Sequence, residues 1–167
     1  MTRGAGLRVS AAAWRRLRVL RPVLVFAAIA VSLMFLYSGV EKWSNIGRFE
    51  RIVVSHGLVG QSWAGAGGVV LACVEVGVGA VGLLVVLVVG PRLLSVILLV
   101  QATLFLGFAV YAALLTAKPP PEPTSCGCGV LAAPTADWAE ILTRNAVAAA
   151  ALGAGAFGAG CVAREQA

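Results

Sequence analysis

The chain is 167 residues long, 60% hydrophobic and only 12% charged, with a net charge of +6. Too little polar surface exists to cover a water-soluble core of this size. A lipid bilayer is therefore the expected solvent, with one membrane unit and no separate globular module. The positive charge does not point to nucleic acid. Six of the thirteen basic residues (Arg3, Arg8, Arg15, Arg16, Arg18 and Arg21) precede the first apolar run, where cytoplasmic arginines of membrane proteins gather.

Residues 1–21 read as a basic cytoplasmic segment, and 22–163 as a four-span membrane domain. The first span covers about 22–40 and ends at Glu41 and Lys42. A cleaved signal peptide is the alternative there. However, the apolar stretch before the small-x-small site Ala28-Ile29-Ala30 is short and the run continues past it, so a retained span is preferred. In the connection 44–62, Ile46, Phe49, Ile52 and Val53 recur at helical spacing with Arg48, Glu50 and Arg51 between them. This predicts a short amphipathic helix lying in the membrane interface, or else an ordinary loop. The second span, about 64–90, is interrupted only by Glu75. Gly90-Pro91-Arg92 then turns the chain into the third span, about 93–117, so that the two form a helical hairpin. Pro119, Pro120, Pro121 and Pro123 stiffen the loop that follows. The fourth span runs over about 138–163, with Asp137 as its N-cap and Glu140 three residues later. The expected fold is an all-α integral membrane four-helix bundle with both termini cytoplasmic.

The orientation rests on basic residues. The N-terminal arginines, Arg92 and Arg164 lie on one side. Lys42, Arg48, Arg51, Lys118 and Arg144 lie on the other, a bias of eight to five. Trp43, Trp63 and Trp138 fall at the outer ends of spans, where an aromatic belt belongs. Both signals put the loop between the third and fourth spans on the extracytoplasmic side of the membrane.

That loop holds Cys126-Gly127-Cys128. A disulfide needs Cα atoms closer than about 6.8 Å, whereas two extended steps span about 7 Å, so residues two apart can bridge only through a bend. Gly127 permits one. A bridge closing so short a ring removes little unfolded-chain entropy and is strained, which suits exchange better than stabilisation. Cys126 and Cys128 are accordingly candidates for a redox pair. A structural clip is the next reading. A soft-metal site is the last, because two thiolates with no nearby histidine make a poor ligand set. Cys73 and Cys161 fall within spans and are expected to act as small hydrophobes.

Glu75 needs a reason to stand within a span, where a charge costs about 3 kcal/mol. Gly68, Ala72, Glu75, Gly79 and Gly82 share one helix face, a stripe of small residues that marks close helix contact and turns Glu75 into the bundle. Tyr37 on the first span lies at about the same depth and is the expected hydrogen-bond partner, with the carboxyl carrying its proton. Lys42 reaching down to Glu75 would reverse the usual snorkelling. The site reads either as a polar tie between helices or as a proton or quinone site.

Tyr37-Ser38-Gly39-Val40-Glu41-Lys42, followed by Phe49 and His56-Gly57-Leu58, carries a family resemblance. So do Glu75 with Gly79, Cys126-Gly127-Cys128, and Trp138 to Leu142 leading into Arg144-Asn145. The chain resembles the methylamine utilisation MauE family and, more loosely, the DoxX-like four-span proteins, over roughly residues 22–163. In the family the cysteine pair is followed by Phe-Gly, where this chain has Gly129-Val130. The resemblance implies an inner-membrane accessory protein, not an enzyme with its own cofactor site. Such a protein assists thiol–disulfide maturation or export of a periplasmic client, in the family case the small subunit of methylamine dehydrogenase. A thioredoxin-like periplasmic partner is implied with it. One alternative is a DoxX-like oxidoreductase subunit passing electrons to quinone. Another is a small-solute carrier or structural module built on Glu75. With one histidine, His56, and no haem, flavin or iron–sulfur constellation, no cofactor and no metal is expected.

Overall fold

The computed structural model describes residues 11–88, 91–126 and 135–165. Among these, the chain is all-helical: α1 (Ala11–Ser44), α2 (Ile46–Ser55), α3 (Gln61–Val88), α4 (Pro91–Ala117) and α5 (Trp138–Glu165). Four of them, α1, α3, α4 and α5, are long and apolar enough to cross a membrane. Their outward faces carry large apolar side chains such as Phe26, Leu84, Leu87 and Phe157, exposed by 63–77%. A surface of that kind is stable against lipid tails rather than water. α1 starts well before the expected first span, so much of the basic N-terminal stretch continues the same helix, through Pro22. The expected turn at Gly90 lies outside the described residues.

The helices pair unevenly. α1 packs intimately along α3, and α4 along α5, while α3 touches α4 far less. The second and third spans touch each other, but their most extensive contacts are with α1 and α5 respectively. The reason lies in the small-residue stripe. Ala64, Gly68, Ala72, Glu75, Gly79 and Gly82 are all buried, and they face α1 and α2. A Cβ on Gly79 would stand 2.6 Å from the Leu36 amide nitrogen and 2.7 Å from the Ser32 carbonyl oxygen. One on Gly39 would stand 2.8 Å from the Val76 nitrogen. Backbones meet directly at both places, the contact that small residues exist to permit in bilayers.

Between the two pairs lies an aromatic and aliphatic core. Phe35 packs 5.2 Å from Phe105 and 6.4 Å from Phe108, centroid to centroid, with Ala28, Leu98 and Leu152 around them. Polar ties cross the same gaps. Gln101, fully buried on α4, donates to Ser32 Oγ at 2.9 Å and to the Ala28 carbonyl on α1. Ser95 donates to the Ala156 carbonyl at 2.8 Å, joining α4 to α5.

The connection 44–62 does contain a helix. Only Asn45 separates it from α1, and the Asn45 carbonyl accepts from Arg48 and Phe49 to start α2. Its apolar side leans on α3, with Ile46, Ile52 and Val53 half-buried. Phe49 is buried against α3, with Cδ1 3.1 Å from where Gly68 would carry a Cβ. α5 begins as expected: Asp137 Oδ1 accepts from the amides of Ala139 and Glu140 at 3.0 and 3.1 Å.

Candidate functional site

The chain alternates direction through α1, α3, α4 and α5. One end of the bundle therefore gathers the C-terminal end of α1, α2, the N-terminus of α3, the C-terminal end of α4, residues 118–126 and the start of α5. Among the described residues, Lys42, His56, Tyr111 and Cys126 lie towards this end.

The first cluster is an ion pair inside the bundle. Lys42 Nζ lies 2.8 and 3.0 Å from the two oxygens of Glu75 and donates to Ser38 Oγ at 2.6 Å. The lysine and glutamate side chains are 6% and 2% exposed. Phe49 covers the ammonium, with its ring centroid 5.6 Å from Nζ. Glu75 does turn inward, but its partner is Lys42. Tyr37 is 55% exposed on the outward face of α1 and takes no part. Lys42 reverses the usual snorkelling because Ser38 lies one turn below it and the close approach at Gly39 brings α3 within its reach. With both Glu75 oxygens on the Lys42 Nζ, the arrangement is a buried polar tie between α1 and α3, with Lys42 in the place expected for Tyr37.

The second cluster centres on His56, which the sequence reading did not single out for a role. It ends α2, and Gly57 follows with φ +71, the left-handed turn that sends the chain back towards α3. The imidazole is 3% exposed. Nε2 lies 3.1 Å from the Ser125 carbonyl oxygen and Nδ1 2.8 Å from the Tyr111 hydroxyl. A carbonyl only accepts, so Nε2 carries the hydrogen; in the neutral ring Nδ1 then accepts from Tyr111. Trp138 sets its ring edgewise at 5.0 Å. A belt residue by position, it is partly buried against His56, whereas Trp43 and Trp63 remain exposed. One side chain thus joins the α2–α3 connection to α4, to the cysteine loop and to α5.

Burial pushes the His56 pKa below its ordinary value, and the Ser125 carbonyl offsets this in part. The unfolded chain takes up a proton near pH 6.5 while the folded ring resists it. This contribution to stability is thus complete above about pH 6.5 and is lost as pH falls towards the folded value. Thermal unfolding of the detergent-solubilised protein between pH 7.5 and 5 is expected to show that loss, and a His56→Gln variant to show less of it.

The cysteine loop is held at a second point. The Ala136 amide donates to the Thr124 carbonyl at 2.9 Å, closing the segment that carries the motif. Cys126 is half-buried next to the Ser125 anchor. Cys128 lies outside the described residues. Cys73 and Cys161 are free thiols on α3 and α5. No cluster of three or more metal-binding side chains occurs among the described residues.

The signal for His56 was present in sequence, as a lone histidine before a glycine at a helix end. Its partners at 111, 125 and 138 are too distant along the chain for spacing to reveal them.

No curated protein and no solved structure matches the chain. A family model does, over residues 20–158, nearly the whole length and including both clusters and the cysteine loop. With four apolar helices of membrane-spanning length and that match, the chain belongs to the methylamine utilisation protein MauE family.

Proposed function

We propose that this chain is a multi-pass accessory protein of the bacterial inner membrane that supports thiol–disulfide maturation or export of a periplasmic client. In methylamine metabolism that client would be the small subunit of methylamine dehydrogenase. The observation that carries the reading is the anchoring of the cysteine segment. Ser125, next to Cys126, is tied to a buried histidine in a family built around a membrane bundle. A loop that served only to connect α4 and α5 would need no such tie. The basic-residue bias of eight to five supports an extracytoplasmic position for this loop, where disulfides persist.

In the exchange, a thiolate of the Cys126–Cys128 pair attacks a client disulfide and forms a mixed disulfide. The second thiolate of the pair then releases the client. Two electrons pass to the client, whose sulfurs leave as thiolates and take up the protons the pair gave up. The pair ends as a disulfide, and a dithiol protein of the thioredoxin class restores it. Run in reverse, the same steps oxidise the client. The Lys42–Glu75 pair supports a structural role for Glu75 in this scheme, since its carboxylate is already committed.

The test is thiol trapping in living cells with a mass-tagged maleimide, with and without prior reduction. A fraction of Cys126 and Cys128 is expected to be protected until reduced, and to change with the redox state of the periplasm. A pair found fully reduced in an oxidising compartment defeats the proposal. Labelling of the loop by a membrane-impermeant reagent only from the cytosolic side defeats it as well.

A further inference from the structure

We propose that His56 is the positioning residue of Cys126, fixing the backbone that presents its sulfur. The argument starts from peptide geometry. The Ser125 carbonyl and the Cys126 amide belong to one planar unit, so holding the carbonyl oxygen holds the Cα of Cys126. His56 Nε2 holds that oxygen at 3.1 Å.

The holder is itself immobilised. The Tyr111 hydroxyl occupies Nδ1 at 2.8 Å and so selects the tautomer that leaves hydrogen on Nε2. Trp138 closes one flank, and the ring is 3% exposed. The Thr124 carbonyl, two residues before Cys126, is bound to Ala136. Cys126 therefore leaves a stretch of chain fixed at two successive carbonyls, and neither bond comes from a helix or strand ladder.

As a mechanism this rests on the thiol-exchange reading above, because a positioned sulfur matters only if it reacts. As a statement of geometry it does not, which lets the two be tested apart.

The experiment uses the full chain in phospholipid nanodiscs under reducing conditions. Cys73→Ala, Cys128→Ala and Cys161→Ala leave Cys126 as the one thiol, and its alkylation by a maleimide is timed. His56→Asn places an amide near the Nδ1 position and cannot reach Ser125. His56→Gln places its amide nitrogen near Nε2 and can donate to the carbonyl. Loss of one buried hydrogen bond is expected to raise the alkylation rate roughly five- to tenfold in His56→Asn. His56→Gln is expected to stay near the parent rate. Circular dichroism checks that both variants keep their helices.

A purely space-filling role for His56 would make the two variants alike, and that result overturns the proposal, as does an unchanged rate in both. If His56→Asn destabilises the bundle, the comparison is made between His56→Gln and Tyr111→Phe. Tyr111→Phe removes the hydroxyl that keeps hydrogen on Nε2, so its rate is expected to rise about two- to fivefold while His56→Gln stays near the parent; a Tyr111→Phe rate no faster than that of the parent, or a fivefold rise in His56→Gln, overturns the proposal. A pair that never oxidises in cells, together with a fast His56→Asn variant, removes the exchange reading and leaves His56 as the holder of Cys126.

Discussion

Replacing Lys42 by methionine is expected to cost about 3–5 kcal/mol of stability, because the change strands the Glu75 carboxylate inside the bundle. The methionine fills the space of the lysine stem and continues to pack under Phe49, so the loss reports the charge and not a cavity. Glu75→Leu alone is expected to be comparably costly, since it leaves the ammonium with Ser38 as its remaining polar contact. The double variant should recover most of the loss, as buried pairs replaced by apolar residues of similar volume commonly do. Thermal unfolding in detergent by circular dichroism measures all three. A double variant as unstable as the sum of the singles would show that the two residues do not act as a pair. A Lys42→Met variant within about 1 kcal/mol of the parent would show that the pair contributes little.

The same pair marks the boundary of what the sequence makes legible. Membrane spans are visible because a bilayer demands long apolar runs, and that demand is local in the chain. The face of α3 carrying Gly68, Ala72, Glu75, Gly79 and Gly82 is legible for the same reason, since helical period alone aligns those residues. The partner of Glu75 is not. Depth along a helix pointed to Tyr37, but a side chain's direction depends on rotation about the helix axis and on how near the next helix lies. At Gly39 the helices approach to backbone contact, and Lys42 folds down into the resulting gap. Pairing of α1 with α3 and of α4 with α5 is likewise a property of matched surfaces. The His56 cluster joins four segments, and only the assembled bundle brings them together.

Gly79 is where the close approach can be tested, and a single methyl group should suffice. In Gly79→Ala the new carbon would sit 2.6 Å from the Leu36 nitrogen and 2.7 Å from the Ser32 oxygen. Both are backbone atoms, so no rotamer change relieves the overlap and α1 must move away from α3. Overpacking of this kind costs typically 1–3 kcal/mol, and the upper end is expected where backbone meets backbone. Gly77 is the control. It lies two residues away on the same helix with nothing within 4 Å of a Cβ, so Gly77→Ala should be neutral or stabilising by up to about 1 kcal/mol through helix propensity. Displacement of α1 also has a consequence for the ion pair. Lys42 reaches Glu75 across the same interface, so moving the helices apart lengthens that contact. Part of the cost of Gly79→Ala is therefore weakening of the Lys42–Glu75 pair, and it should vanish where the pair is already absent. In the Lys42→Met, Glu75→Leu background, Gly79→Ala is expected to cost less than in the parent by about 0.5–3 kcal/mol, the range of coupling between residues that share a backbone shift. Equal costs in both backgrounds would mean that the glycine contact and the ion pair stabilise the interface independently.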